Sequence, residues 1–189
     1  RQLGFAVDRS RANWGDQTYD LGFPPDDHKA FNAAQDAFYD RVAKAAARDH
    51  DSAASDFLEP GNRWNALIDA PDTIVIDTRN HYEVVAGTFR RAIDPHTRTF
   101  REFPEWFRRE RDTLLGEGRR PKVAMFCTGG IRCEKAAPYM ELRGFRHIYQ
   151  LDGGILKYFE EVGERHYRGT CFVFDQREAL DPGLNALRE

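Results

Sequence analysis

Long apolar runs are missing from this sequence of 189 residues, and cysteine is scarce in it. No stretch approaches the roughly 20 apolar residues that a bilayer span requires, so no membrane segment is predicted. Three cysteines, an odd and small number for this length, do not suggest the disulfide framework of a secreted domain. Residues 1–10 are mixed and polar, unlike a signal peptide, and a reducing cytoplasm is the expected location.

An excess of positive charge is missing as well, because the formal net charge is -3. No overall field attracts nucleic acid, and a nucleic-acid partner would need a local basic patch. The arginine-rich segment 98–120 also carries the acidic residues Glu102, Glu105, Glu110 and Asp112, so a solvated helix face is its simpler interpretation. With 41% hydrophobic and 31% charged residues, the composition is that of a globular protein. The chain does not begin with Met, which leaves open both processing and a longer parent protein.

Two regions differ in pattern, and we expect a boundary near residue 56. Residues 1–56 read as an N-terminal extension, a polar loop followed by one amphipathic helix that ends near His50. Residues 57–189 read as one α/β domain in which strands and helices alternate, which predicts a parallel sheet covered by helices. The predicted strands are Thr73–Asp77, Val123–Phe126, His147–Leu151 and Cys171–Phe174, and the predicted helices include Trp64–Leu67, a segment from Pro104 to Gly116, Cys133–Leu142 and a segment after Gly153-Gly154.

The segment from Cys127 to Lys135 is the candidate for chemistry. A buried strand runs into a loop with two glycines, and the loop runs into a helix. Glycines allow successive backbone N–H groups to turn inward, and the helix N-terminus adds a positive dipole end. With the charge of Arg132, this arrangement favours a thiolate at Cys127, open to reactants at the mouth of the loop. The predicted anion-binding loop is Thr128, Gly129, Gly130, Ile131 and Arg132.

Other interpretations of the three cysteines are weaker. A tyrosine phosphatase would place its arginine six residues after the cysteine, where this chain has Cys133. Cys133 begins the predicted helix and is either packing or a thiol that resolves an oxidised Cys127. Cys171 lies in a predicted strand and is expected to be core. The three cysteines lack a zinc-ligand spacing, so no metal site is predicted.

These residues resemble the rhodanese superfamily. Asp77-Thr78-Arg79 with Glu83 and Gly87 is similar to that family's first signature, in which an Asp and an Arg brace the loops around the site. The resemblance implies supporting roles for Asp77, Arg79 and Glu83. Thr88 stands where a His usually follows the glycine. Leu151-Asp152-Gly153-Gly154 is similar to the second signature.

A narrower set of motifs resembles the tRNA wobble-uridine hydroxylase family, from about Phe57 to Leu184. The resemblance implies oxygen-dependent hydroxylation of the wobble uridine, with Cys127 as the essential cysteine, molecular oxygen as co-substrate and no other evident cofactor. The motifs that carry it are Asp77–Asn80, Tyr82-Glu83, Phe100–Pro104, Cys127–Lys135, Gly153–Tyr158 and Cys171–Asp175.

The chain departs from that family at both ends. Residues 1–56 are too short for the usual N-terminal ferredoxin-like domain, and the usual cysteine-containing tail is not seen. Three functions therefore compete: tRNA hydroxylation, sulfur transfer through a Cys127 persulfide between a small sulfur donor and a thiol acceptor, and a non-catalytic binding module. The presence of the cysteine disfavours the last. For tRNA, the candidate phosphate contacts are Arg79, Arg90, Arg91, Arg101, Arg132 and Lys135.

Overall fold

A computed structural model describes residues 57–58, 60–116, 119–173 and 179–187, together with Ala30, Ala33, Asp36, Ala37 and Asp40. Those five isolated positions are helical and exposed, in the segment where the sequence predicts a helix. The apolar positions of that predicted helix lie outside the described residues, and the boundary near residue 56 stays a prediction. None of the described helices is long and apolar enough to cross a membrane.

Eight strands and five α-helices make up the described fold. The strands are β1 (Phe57–Leu58), β2 (Thr73–Asp77), β3 (Gly87–Phe89), β4 (Lys122–Phe126), β5 (His147–Leu151), β6 (Tyr167–Gly169), β7 (Cys171–Phe172) and β8 (Ala179–Leu180). The helices are α1 (Asn62–Asp69), α2 (His81–Ala86), α3 (Phe103–Leu115), α4 (Ile131–Glu141) and α5 (Gly154–Glu161), with a 3-10 turn at Phe100–Glu102 before α3.

The central sheet has four parallel strands in the order β1-β5-β4-β2. Its strands are short and mostly buried, and β2 is rich in β-branched residues, as expected for a parallel sheet covered on both faces. Successive residues of β4 point to opposite faces: Val123 and Met125 pack with α3 and α4, whereas Ala124 and Phe126 pack with α1 and α5. The predicted α/β class with a helix-covered parallel sheet is confirmed.

Most predicted elements appear with small shifts of their ends, and a few differ. Helix α1 is longer than the predicted turn, because Trp64 and Ile68 lie one turn apart and are both buried. Of the strand predicted at Cys171–Phe174, only Cys171 and Phe172 form a strand among the described residues, and this strand, β7, pairs with β8 outside the central sheet. The sequence also did not indicate α2 or the antiparallel pair of β3 and β6, which are too short for a periodic pattern to show.

Candidate active site

Cys127 follows the last residue of β4, at the carboxyl edge of the parallel sheet, where sites in such folds are found. The adjacent strand β2 ends in register with it, since Asp77 pairs with Phe126. Consequently the segment after β2 and the loop after β4 lie side by side, and Thr78 donates hydrogen bonds to the Phe126 carbonyl from both its amide and its hydroxyl, each 3.0 Å long. Cys127 itself is only 2% exposed.

The sulfur of Cys127 accepts a hydrogen bond of 3.0 Å from the backbone N–H of Gly130. A hydrogen bond from the Cys133 thiol is the main cause that lowers the pKa of Cys127 from 9.0 to about 6, against the opposing effect of burial. The charge of Arg132 and the backbone N–H groups of Arg132 and Cys133 lower it further. At neutral pH the geometry therefore favours a Cys127 thiolate.

Cys133 lies in the first turn of α4 and is fully buried. Its sulfur is 3.4 Å from the Thr78 hydroxyl oxygen. Burial, and then its hydrogen bond to Cys127 and the charge there, raise the pKa of Cys133 well above its ordinary value. The two thiols are therefore unlike: Cys127 is the anion, and Cys133 is the neutral donor beside it.

Arg132 lies over the loop through an ion pair with Glu83 of α2. Its two terminal nitrogens donate to the two carboxylate oxygens of Glu83 at 2.6 and 2.8 Å. Glu83 has no exposed surface, and it also accepts from the Asn80 amide at 3.1 Å and from the Thr128 hydroxyl at 3.4 Å. The carboxylate of Glu83 thus has four hydrogen-bond donors and holds the guanidinium in place.

A second buried ion pair lies behind the first. Arg79 donates to both carboxylate oxygens of Asp77, at 2.9 and 2.7 Å, and neither side chain is exposed. Arg79 also donates to the Gly87 carbonyl at 2.5 Å, which ties the segment to β3. Thr88 donates its hydroxyl to Asp77 at 2.7 Å. The threonine that replaces the usual histidine thus supplies a hydrogen bond to the bracing aspartate.

Helix α5 supports the loop from the other side. The backbone N–H groups of Ile155 and Leu156 donate to the carbonyls of Cys127 and Thr128, at 3.0 and 3.2 Å. Gly154 has a φ of 66°, and a Cβ there would lie 2.5 Å from the Cys127 carbonyl oxygen. Only glycine permits both this backbone conformation and this close approach. The Gly153-Gly154 turn noted in the sequence therefore packs directly against the backbone of the loop.

The structure brings the sequence-predicted residues together with two corrections. Cys127, Thr128, Gly130 and Arg132 meet Asp77, Arg79 and Glu83, while the exposed Gly129 and Ile131 border the loop. First, the sulfur is buried rather than open at the mouth, because the Gly129-Gly130 backbone turns over it and donates to it.

Second, Arg79 is buried against Asp77 and cannot contact an RNA phosphate. Arg91 also has another role, because its guanidinium donates to the carbonyls of Ile68, Asp69 and Ala70 at the end of α1. Among the predicted phosphate contacts, Arg90 is exposed, and its side chain can reach a phosphate from solvent.

Cys171 is closer to the site than the sequence indicates. It is buried as predicted, but burial raises the pKa of Cys171 to about 11 against the opposing effects of Arg79 and the Thr128 hydroxyl. It is a neutral thiol that lines the back of the loop. Its place could not be read from the sequence, because β7 lies outside the central sheet and returns to the site only through tertiary packing with α2.

With this geometry in place, comparison with known proteins is informative. A family profile described as the rhodanese-like domain matches residues 62–161, more than half of the 189 residues. The chain belongs to the rhodanese-like family. The match covers the loop, both bracing ion pairs and the glycine turn before α5, whereas Cys171 lies outside it.

Curated relatives of this rhodanese-like domain carry one name. A tRNA uridine(34) hydroxylase from Gluconobacter oxydans is 60% identical over 123 residues, which cover 64% of this chain and 39% of that protein. The protein of the same name from Rhizobium etli is 59% identical, with 64% and 38% covered, and that from a Synechococcus strain is 49% identical, with 75% and 45% covered. The chain therefore spans about two fifths of the length of these relatives.

Proposed function

We propose that this chain provides the catalytic domain of an enzyme that hydroxylates the wobble uridine of tRNA with molecular oxygen, in the cytoplasm, and that Cys127 is its reactive group. The observation that carries the proposal is the Cys127 sulfur at the end of β4, which accepts a hydrogen bond of 3.0 Å from the Gly130 amide. The Cys133 thiol and the charge of Arg132 lower the pKa of Cys127, which favours its thiolate. Identities of 49–60% to proteins named tRNA uridine(34) hydroxylase support the choice of substrate.

A thiolate suits this chemistry because it is a soft nucleophile and an electron donor. Insertion of one oxygen atom at C5 of uridine leaves the second atom of O₂ to depart as water, which takes two electrons and two protons. The Cys127 thiolate and a second thiol release two electrons and one proton when they become a disulfide, and solvent supplies the other proton. Cys133, hydrogen-bonded to Cys127, is in our proposal the thiol that closes the disulfide, and an external thiol then reduces it.

Access to the buried sulfur requires the glycine loop. Gly129 is exposed, and a Cβ at Gly129 or Gly130 would meet nothing within 4 Å, so no side chain crowds the outer face of these two glycines. A planar base can approach there without displacing a side chain. For the tRNA backbone, Arg90, Arg101 and Lys135 stay as candidate contacts, and an affinity that falls steeply with added salt would support them.

The test is nucleoside analysis of tRNA from cells that lack the gene and are complemented with variants. We expect C127S to abolish 5-hydroxylation of the wobble uridine, a loss of at least about 10³-fold, as for removal of other catalytic nucleophiles. The matched control is C171A, which removes a neutral buried thiol and should keep most of the modification. Unchanged wobble uridines in the C127S strain would refute the proposal.

Sulfur transfer is the alternative that the same thiolate could serve, because an anion-binding loop also holds a persulfide. Incubation with thiosulfate and cyanide separates the two activities. Rapid formation of thiocyanate, with a mass gain of about 32 Da on Cys127 for one added sulfur, would favour the transferase. We expect little thiocyanate, and a mass loss of about 2 Da when Cys127 and Cys133 form a disulfide after oxidation.

A further inference from the structure

Three ligand-type side chains meet on the surface near the start of α2, and the thiolate chemistry does not use them. The Nδ1 atom of His81 lies 2.6 Å from Oδ2 of Asp94 and 3.1 Å from Nδ1 of His96. The third side of the triangle, from Nδ1 of His96 to Oδ2 of Asp94, is 3.5 Å. All three atoms lie within 4.8 Å of one another. Among the described residues, these three form the one group of His, Cys, Asp or Glu side chains close enough together to hold a metal ion.

The triangle has dimensions suited to one small cation. An ion at about 2.0–2.2 Å from imidazole nitrogen and carboxylate oxygen, as zinc is, separates its ligand atoms by about 3.3 Å in a tetrahedral arrangement. The observed separations of 2.6, 3.1 and 3.5 Å lie on both sides of that value. A single proton on His81 can serve only one of its two short contacts well, whereas a cation satisfies all three atoms together.

The backbone holds the three residues in this arrangement before any ion binds. Asp94 uses its other oxygen, Oδ1, to accept a hydrogen bond of 2.7 Å from the His96 amide, which orients the carboxylate. His96 has a φ of 55°, a conformation unusual for a residue with a side chain, and this turn brings its ring towards His81. The His81 amide donates to the Thr97 carbonyl at 2.8 Å, so the two segments are also joined by their backbones.

The segment that carries Asp94 and His96 is fixed to the sheet. Ile93 continues the sheet beside β2, since its amide donates to Val75 at 2.8 Å and its carbonyl accepts from Asp77 at 3.1 Å. The ligand atoms therefore come from two anchored segments rather than from a free loop. At 73% exposure, the His96 side chain is also open to an ion from solvent.

We propose that His81, Asp94 and His96 bind one divalent transition-metal ion, with zinc as its representative. Three protein ligands leave at least one coordination position for water or another small ligand, as in open rather than closed metal sites. The two imidazoles and one carboxylate suit zinc, cobalt or iron better than magnesium or calcium, which prefer oxygen ligands. The proposal does not depend on the tRNA activity, because it concerns binding alone.

The test is metal binding to the full chain, measured by calorimetry with zinc and by visible absorption with cobalt. We expect one ion per chain, and at least a tenfold loss of affinity in each of H81A, D94N and H96A. The matched control is H147A, because His147 is an exposed histidine at the opposite end of the sheet. It should bind the ion as the wild type does. Far-UV circular dichroism shows that each variant is folded, and H96A alters the most exposed of the three side chains.

Two results would overturn the proposal. One is equal affinity, or no saturable binding, in the wild type and in all three ligand variants. The other is a cobalt complex with a sulfur-to-metal charge-transfer band that disappears in C127S, which would assign the ion to the thiolates. Because neither result involves nucleoside analysis, failure of the metal site and failure of the hydroxylase proposal are distinguishable.

Discussion

The segment after β2 and the loop after β4 start from paired positions at one edge of the sheet, yet they use different chemistry. The segment after β2 is fixed by side chains: the carboxylates of Asp77 and Glu83 bind the guanidinium groups of Arg79 and Arg132. In the loop after β4, the side chains of Thr128 and Arg132 also bind Glu83, but Cys127 itself is held by backbone groups, which donate to its sulfur or, on α5, to its carbonyl. The two regions therefore have different roles. Because the carboxylates and guanidinium groups of the bracing ion pairs neutralise one another, the Cys127 thiolate is the anion that is left to react.

The largest effect should follow from breaking the inner brace with D77N. Loss of this carboxylate leaves the Arg79 guanidinium buried without its counterion, and we expect about 3–5 kcal/mol less free energy of unfolding. Urea denaturation measures it. The control, D72N, removes an exposed partner of Lys122, 3.4 Å away, and should change the free energy by less than about 1 kcal/mol. Equal effects of the two variants would show that the segment is not a brace.

A smaller loss should follow from G154A, which tests the support of the sulfur loop by α5. The new Cβ meets the carbonyls of Cys127 and Thr128 and also takes a left-handed φ, so we expect about 2–4 kcal/mol of destabilisation. The control is G163A, because Gly163 has a φ of 76° and an added Cβ there would meet open space. Its destabilisation, about 1–2 kcal/mol, should come from the backbone conformation alone. If both substitutions cost the same, the contact between α5 and the loop is unimportant.

The electrostatics of the sulfur loop are tested by C133A. Removing the thiol that donates to Cys127 should raise the pKa of Cys127 from about 6 by about 1–2 units, as for loss of a hydrogen bond to a charged group. Ultraviolet absorbance of the thiolate, followed across pH, measures this shift. In the wild type the thiolate forms as pH rises through about 6, and in C133A the rise comes at higher pH.

The conservative variant C133S keeps a donor at that position. It should therefore retain most of the depressed pKa of Cys127. A titration curve of C133A that overlays the wild-type curve would show that the amides and Arg132 suffice without Cys133.

The smallest effect should come from T88V, which removes one of the donors to Asp77. Because Arg79 still neutralises the carboxylate, we expect only about 1–2 kcal/mol of destabilisation in thermal or urea unfolding. T88S keeps the hydroxyl and should be nearly neutral. A loss in T88V as large as that in D77N would mean that the hydroxyl, rather than the guanidinium, keeps the aspartate in place.

Strand periodicity and the glycine loop were sufficient to predict the sheet, the position of Cys127 at its carboxyl edge and the loop that surrounds it. Three buried apolar runs and a strand-loop-helix sequence are local patterns, and local patterns are what secondary structure follows most directly. The bracing roles of Asp77, Arg79 and Glu83 came from resemblance, and their catalytic relevance stays a proposal. What resemblance could not indicate was that both terminal nitrogens of Arg132 bind the carboxylate of Glu83.

Other parts of the site depend on contacts between distant segments. The Cys133 thiol acts on Cys127 across the loop, and the positions of Cys171 and of the three proposed metal ligands depend on how short segments return to the sheet. The three proposed metal ligands were not predicted from the sequence, since two histidines and an aspartate separated by 13 and 2 residues match no familiar ligand spacing.

The sequence alone determined that a strand ends at Cys127 and that glycines and a helix start follow, because the residues concerned are neighbours along the chain. Tertiary structure decided how deeply the sulfur is buried and which cations are already paired. Both properties depend on distances between residues far apart in the chain. Electrostatic interactions and burial both vary with those distances, and a local sequence pattern does not contain them.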